Sequence, residues 1–378
     1  MTRSSVWHVA ERAASPTMGS VSAQPVPPAA RPRPAWQRYG ELISRPVLRP
    51  TTRALRGWAL AAVVANVIIM STGEAVRLSK SGLGCPDWPD CTAKSLVAAN
   101  TVGQTTLNTW IEFGNRLLNF PLVAIAGLTF IAACCYRSPG PAGGGQTVLG
   151  RRRRDLIWLA AALPAGVVGQ AVVGGIVVLT KLNPAWVAVH FMLSTAIVGA
   201  AVVLQVRAGE GTGPAVPVVR RDLRIIGATL VAAVAVMFAA GTVVTGTGPL
   251  AGNAAAPRFH LPFVGVTQFH ADIGWFIGAL SFALLIGLPL SGAPRPAVRR
   301  IYLLAGLTLA QGAIGYAQYF AGLPAGLVWV HVTVAVVIWA VTVWLYLAMR
   351  ERGPAADDVP GQLVSEASEP ASARSPGA

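Results

Sequence analysis

Three of the five histidines in this chain, His190, His270 and His331, lie inside long apolar stretches. An imidazole in a membrane span is uncommon, turns toward the interior of a helix bundle, and is the usual protein ligand of haem iron. Iron ligation is therefore the first chemistry these positions offer. For any one histidine alone, a satisfied hydrogen bond between helices is an equal reading; a pair at one depth favours ligation. A second constellation is Glu112-Phe113-Gly114-Asn115-Arg116, which places a carboxylate, an amide and a guanidinium over little more than one helical turn. Glu112 and Arg116 are four apart and share a face. Two readings stand side by side: an ion pair anchoring the helix end, or an arginine for haem propionates beside a glutamate that shuttles a proton. Four cysteines complete the inventory. Cys85 and Cys91 bracket Pro86-Asp87-Trp88-Pro89-Asp90 in an outer loop, and Cys134 and Cys135 end an apolar segment. On the oxidising side the first pair can close a small disulfide ring, whereas the second stays reduced. A metal site on the first pair is disfavoured, because no further cysteine pair or histidine follows nearby.

The elements that must position these residues follow from composition. With 378 residues, 53% hydrophobic and only 12% charged, the chain lacks the polar surface of a soluble globule. It reads as an all-α polytopic membrane protein. The net charge of +15 is no nucleic-acid footprint, since the arginines fall in the ends and in alternate loops rather than on one face. Eight apolar segments, near 54–76, 112–136, 156–180, 185–206, 223–246, 267–290, 300–321 and 325–349, are each long enough to cross a bilayer. Arg45, Arg49, Arg53 and Arg56 precede the first. Arg137 and Arg151 to Arg154, then Arg220, Arg221 and Arg224, then Arg295, Arg299 and Arg300 fill alternate loops, and Arg350 and Arg352 follow the last. The opposite loops hold few cations, among them Arg77, Lys80, Lys94, Lys181 and Arg258. By the positive-inside rule both termini are cytoplasmic and the protein sits in the cell membrane. Residues 1–53, rich in Pro, Ala, Ser and Arg, lack the apolar core of about 7–15 residues that a signal peptide needs. They are expected as a disordered basic arm, and 351–378 as a disordered tail.

An internal repeat sets the architecture. Gln170-Ala-Val-Val-Gly-Gly, followed by Trp186 and His190, matches Gln311-Gly-Ala-Ile-Gly-Tyr, followed by Trp329 and His331. Gly73 through Gly84 resembles Gly241 through Gly252. An even number of spans in each half gives the copies one orientation. The expectation is two tandem, pseudo-symmetric four-helix bundles, 54–206 and 223–350, joined by a cytoplasmic linker at 207–222. Asn115, His190, His270 and His331 then lie within the first two turns of their spans, about 5–10 Å deep at 1.5 Å per residue. Two imidazoles at one depth, His270 and His331, can clasp a porphyrin in the second bundle. His8 and His260 receive no role, and Gln170 and Gln311 read best as helix-to-helix hydrogen bonds.

The run Val76-Arg77-Leu78-Ser79-Lys80-Ser81-Gly82-Leu83-Gly84-Cys85-Pro86-Asp87-Trp88-Pro89, the Glu112-to-Arg116 segment and the histidines of spans four, six and eight resemble the haem A synthase family, in its form with an outer-loop cysteine pair. The likeness covers about residues 54–349. It implies that His270 and His331 are axial ligands of a haem b, that His190 lies in the site of the substrate haem O, and that Glu112 is the functionally important acid. Arg116, Arg77 and Asn115 are expected to bind cofactor, and Cys85 and Cys91 to form the disulfide. It further implies oxidation of the C8 methyl of haem O to the formyl of haem A for cytochrome oxidase. Haem O would be handed over by haem O synthase, lipid would surround the protein, and the electron donor is unassigned. One departure matters: the family's span-two histidine is Asn115 here, and an amide oxygen is a poor axial ligand. Two alternatives stay open, a b-type electron-transfer cytochrome and a small-molecule transporter.

Overall fold

In a computed structural model of the chain, residues 44–92, 95–98, 105–139 and 149–353 are described, all within the unit Leu42–Ala378. The basic arm up to residue 43 with His8, the tail from 354, and Lys94 lie outside the described residues. After a helical turn at 44–48 come α1 (Thr52–Leu78), α2 (Thr106–Leu117), α3 (Asn119–Cys135), α4 (Arg154–Leu179) and α5 (Pro184–Arg207). Then follow α6 (Arg221–Thr247), α7 (Phe263–Leu290), α8 (Arg295–Phe320) and α9 (Ala325–Leu347). Three of the helices start where a short polar side chain caps them. Thr51 accepts from the Ala54 N–H, Thr105 from Asn108, and Asn183 from Ala185 just before Pro184 opens α5.

The apolar run expected as the second span is two helices. Pro121 has no N–H to give the Leu117 carbonyl and its ring crowds that oxygen, so α2 ends there and α3 begins after Leu118. Taking α2 and α3 together, seven segments among the described residues are long and apolar enough to cross a membrane, which makes this a multi-pass membrane protein. The remaining candidate, α8, is as long at 26 residues but falls short in composition. Three arginines open it, and Gln311, Gln318, Tyr302, Tyr316 and Tyr319 follow.

The helices enclose two hydrophobic cores. Leu55, Leu156, Leu163, Val198 and Leu204 center the first, drawn from α1, α3, α4 and α5, and Leu230, Leu284, Ile301, Leu304 and Leu345 the second, from α6 to α9. Helix α9 serves both, with Val336 and Ala340 in the first core and Ile338 and Val341 in the second. At the seam Phe238 meets Phe191 and Trp339 edge-on, at 5.5 and 6.1 Å between ring centres. Trp339 also donates to the Thr195 carbonyl (2.8 Å), and the Ser71 and Thr333 hydroxyls lie 2.9 Å apart.

Short strands interrupt the helical pattern, a feature the sequence does not announce. β1 (Arg137–Pro139) pairs antiparallel with β2 (Leu149–Arg152). β3 (Ala215–Pro217) pairs with β4 (Arg350–Arg352), Ala215 opposite Arg352. The residues expected as linker and as the start of a free tail are thus zipped together. Nearby, Arg153 and Arg207 both pair with the Asp155 carboxylate, at 2.7 and 2.6 Å, and Arg207 reaches Glu210 at 2.9 Å.

Candidate functional site

His270 of α7 and His331 of α9 come together. Their ring centres are 6.3 Å apart and their planes differ by 56°. A metal–nitrogen bond spans about 2 Å and the ring centre lies about 1 Å further back, so two imidazoles on one metal have centres about 6 Å apart. The pair therefore has the spacing of two axial ligands. Among the described residues no group of three or more His, Cys, Asp or Glu is arranged to cage an ion. Two imidazoles alone suit a metal that carries its remaining ligands with it, as in a macrocycle. The Nδ1 atoms of His190, His270 and His331 are all buried without a hydrogen-bond partner among the described residues.

Each imidazole rests its Cε1–Nδ1 edge on a glycine of a neighbouring helix. A methyl group added to Gly174 would stand 3.2 Å from Cε1 of His190, one on Gly241 3.3 Å from Cε1 of His270, and one on Gly315 3.2 Å from Cε1 of His331. Asn115 has the same relation to Gly73, more loosely, at 4.0 Å from Nδ2. One turn before two of these glycines stand the matched glutamines. Gln170 donates to the His190 carbonyl at 3.0 Å, and Gln311 to the His331 carbonyl at 2.9 Å. The glutamines thus bond helix to helix, as expected.

In the first half, Glu112 of α2 is 6% exposed and fully engaged. Its Oε2 accepts from the Cys85 N–H (2.8 Å) and its Oε1 from Arg116 (2.8 Å). Arg116 also donates to the carbonyls of Cys85 (2.7 Å), Asp87 (3.0 Å) and Asp90 (3.0 Å). The ion pair and the loop closed by the Cys85–Cys91 disulfide are therefore one unit. Gly84 lets that loop cross α2 at bare backbone, since a methyl there would lie 2.5 Å from the Asn108 carbonyl oxygen. At its far side the loop lays Trp88 on Gly175 of α4, where a methyl would meet the indole at 2.7 Å. Gly175 directly follows Gly174, the seat of His190. Arg77 is paired with Glu74, which is buried, and donates to the Leu250 carbonyl beyond α6.

His270 and His331 are thus brought together, as are Glu112, Arg116, Cys85 and Cys91, while Arg77 stands in a separate ion pair. Sequence reasoning gave no separate role to Glu74, Trp88 or the seating glycines. The signals were present: Glu74 and Arg77 are three apart on an apolar helix, and the interval from glycine to histidine is sixteen for both Gly174–His190 and Gly315–His331.

Fold and site together define a multi-pass helical membrane protein with a paired-imidazole centre in one half and a buried acid under a disulfide-ringed loop in the other. The chain belongs to the cytochrome oxidase assembly protein family COX15-CtaA, whose model matches residues 56–259, more than half of its length. That match includes Glu112 and His190 and ends before His270. The chain is also similar to the heme A synthase of Lysinibacillus sphaericus (strain C3-41), 28% identical over 148 residues, 39% of this chain and 42% of the relative. The heme A synthase of Geobacillus thermodenitrificans is 28% identical over 122 residues, 32% of each chain. That of Geobacillus kaustophilus (strain HTA426) is 30% identical over 121 residues, 31% of each. The chain thus spans less than half the length of the curated relatives it matches.

Proposed function

We propose that this protein is a haem A synthase, oxidising the C8 methyl group of haem O to the formyl group of haem A for cytochrome oxidase. The observation that carries the reading is the His270–His331 pair at 6.3 Å. In this reading the helices form eight spans, α8 included, in two tandem four-helix bundles, 54–206 and 223–350, with 207–222 as linker and both termini cytoplasmic. The separate cores and the clustering of arginines at alternate loops support that arrangement.

His270 and His331 would hold haem b, which supplies one-electron chemistry when bound. His190 is the protein ligand offered to the substrate haem O, with Asn115 where the second half has His270. A single imidazole leaves a coordination position open, which suits a site where chemistry is done. Glu112 stabilises the charge that methyl oxidation creates, or takes its proton, in a site shielded from water. Arg116 works through the loop it fastens, and Arg77 through the segment after α6. Haem O comes from a haem O synthase in the same membrane, and a separate donor supplies electrons.

The test is co-expression with a haem O-producing enzyme, followed by chromatography of the haems extracted from the purified protein. Haem A together with haem b is the expected result. Haem b alone would leave an electron-transfer cytochrome, and no haem at all a transporter.

A further inference from the structure

We propose that Gly241, Gly315 and Gly174 are positioning residues: they set the planes of the imidazoles of His270, His331 and His190 by contact, in the place where other metal-binding histidines use a hydrogen bond. The proposal rests on the reading of these histidines as haem ligands. A ligand histidine ordinarily donates its second ring N–H to a carboxylate or carbonyl, which fixes the ring. Here Nδ1 of all three is buried with no such partner among the described residues. Rotamer preference does not fix the plane either, because the terminal torsion of histidine is broad.

What remains is packing. In each case the Cε1–Nδ1 edge comes up against a glycine, with an added methyl 3.2 to 3.3 Å from Cε1 and 3.6 to 3.8 Å from Nδ1. The Cε1 distances are tighter than a comfortable carbon–carbon contact, so a methyl there requires the ring to give by a few tenths of an ångström. The glutamine bonds to the His190 and His331 carbonyls add axial register, holding each histidine level with its glycine. Asn115, whose Nδ2 would lie 4.0 Å from a methyl on Gly73, shows the same frame when no imidazole has to be held.

The test uses the full-length protein purified with its bound haem. Wild type, Gly241→Ala, Gly315→Ala and Gly278→Ala are compared by electron paramagnetic resonance of the ferric haem and by redox titration. The angle between two axial imidazole planes governs the anisotropy of a low-spin ferric signal, so Gly241→Ala and Gly315→Ala should shift the g-values and weaken haem retention about ten-fold. Gly278→Ala, on the same helix as His270 but with nothing within 4 Å of the added methyl, should match wild type. Unshifted spectra in both test variants overturn the proposal, and so does an equal shift in Gly278→Ala. If one test variant fails to accumulate, the other decides, and Gly174→Ala supplies a third site, read by retention of added haem O. A wild-type protein without a low-spin bis-imidazole signal would sink the assignment of the ligands instead.

Discussion

The two halves build the same frame and differ at the next residue along. In the first, Gln170 and Gly174 of α4 hold His190; in the second, Gln311 and Gly315 of α8 hold His331. Gly174 is followed by Gly175, whose bare face receives Trp88 from the disulfide-ringed loop. Gly315 is followed by Tyr316, whose hydroxyl accepts from Trp275 at 3.0 Å. The partner position differs as well, Asn115 on the one side and His270 on the other. One half gives up an imidazole and gains an acid under a cap. The other keeps both imidazoles and has the Trp275–Tyr316 bond beside Gly315. In the proposed reading, holding a cofactor and acting on one separate at a few positions of a shared frame.

Several substitutions can break or sharpen this contrast. The largest effect is expected from His331→Ala, which should abolish the low-spin haem b absorption of the purified protein; a retained signal would place the ligand elsewhere. Glu112→Gln should lower haem A by about 100-fold or more while haem b content holds, as expected for loss of an acid–base group; normal haem A on chromatography would remove the glutamate from the chemistry. Asn115→His should make the first half imitate the second, adding a bis-imidazole signal when haem O is supplied, and an unchanged spectrum would show that the halves differ by more than this residue. Gly175→Ala should cost about 1–3 kcal/mol by overpacking against Trp88, read from thermal unfolding in detergent. Smallest is Tyr316→Phe, where loss of one half-exposed hydrogen bond should cost about 0.5 kcal/mol.

Much of the frame was legible because a bilayer demands a fixed length of apolar helix, and the segments near 223–246 and 325–349 agree with α6 and α9 to within a few residues. The break at Leu118 was written in Pro121, but the unbroken apolar run masks it. The paired histidines were legible as types and depths, whereas their separation depends on how α7 and α9 rotate and tilt, which periodicity does not encode. Arg116 could be seen to face Glu112, but not that its other donors serve the backbone of a loop some thirty residues earlier. The pairing of β3 with β4 was beyond reach for the same reason: two three-residue strands far apart in sequence carry no pattern of their own.

The interruption at Leu118 also sets α2 apart from α3 in what holds it. Only Thr109 and Glu112 of α2 are buried, and its strongest attachments are the Arg116 and Glu112 bonds to the Cys85–Asp90 backbone. The short helix is therefore fastened to the disulfide-ringed loop through Glu112 and Arg116. The carboxylate thus has no position of its own apart from that loop: the Cys85 N–H and the Arg116 guanidinium, itself held by three loop carbonyls, together set where it stands.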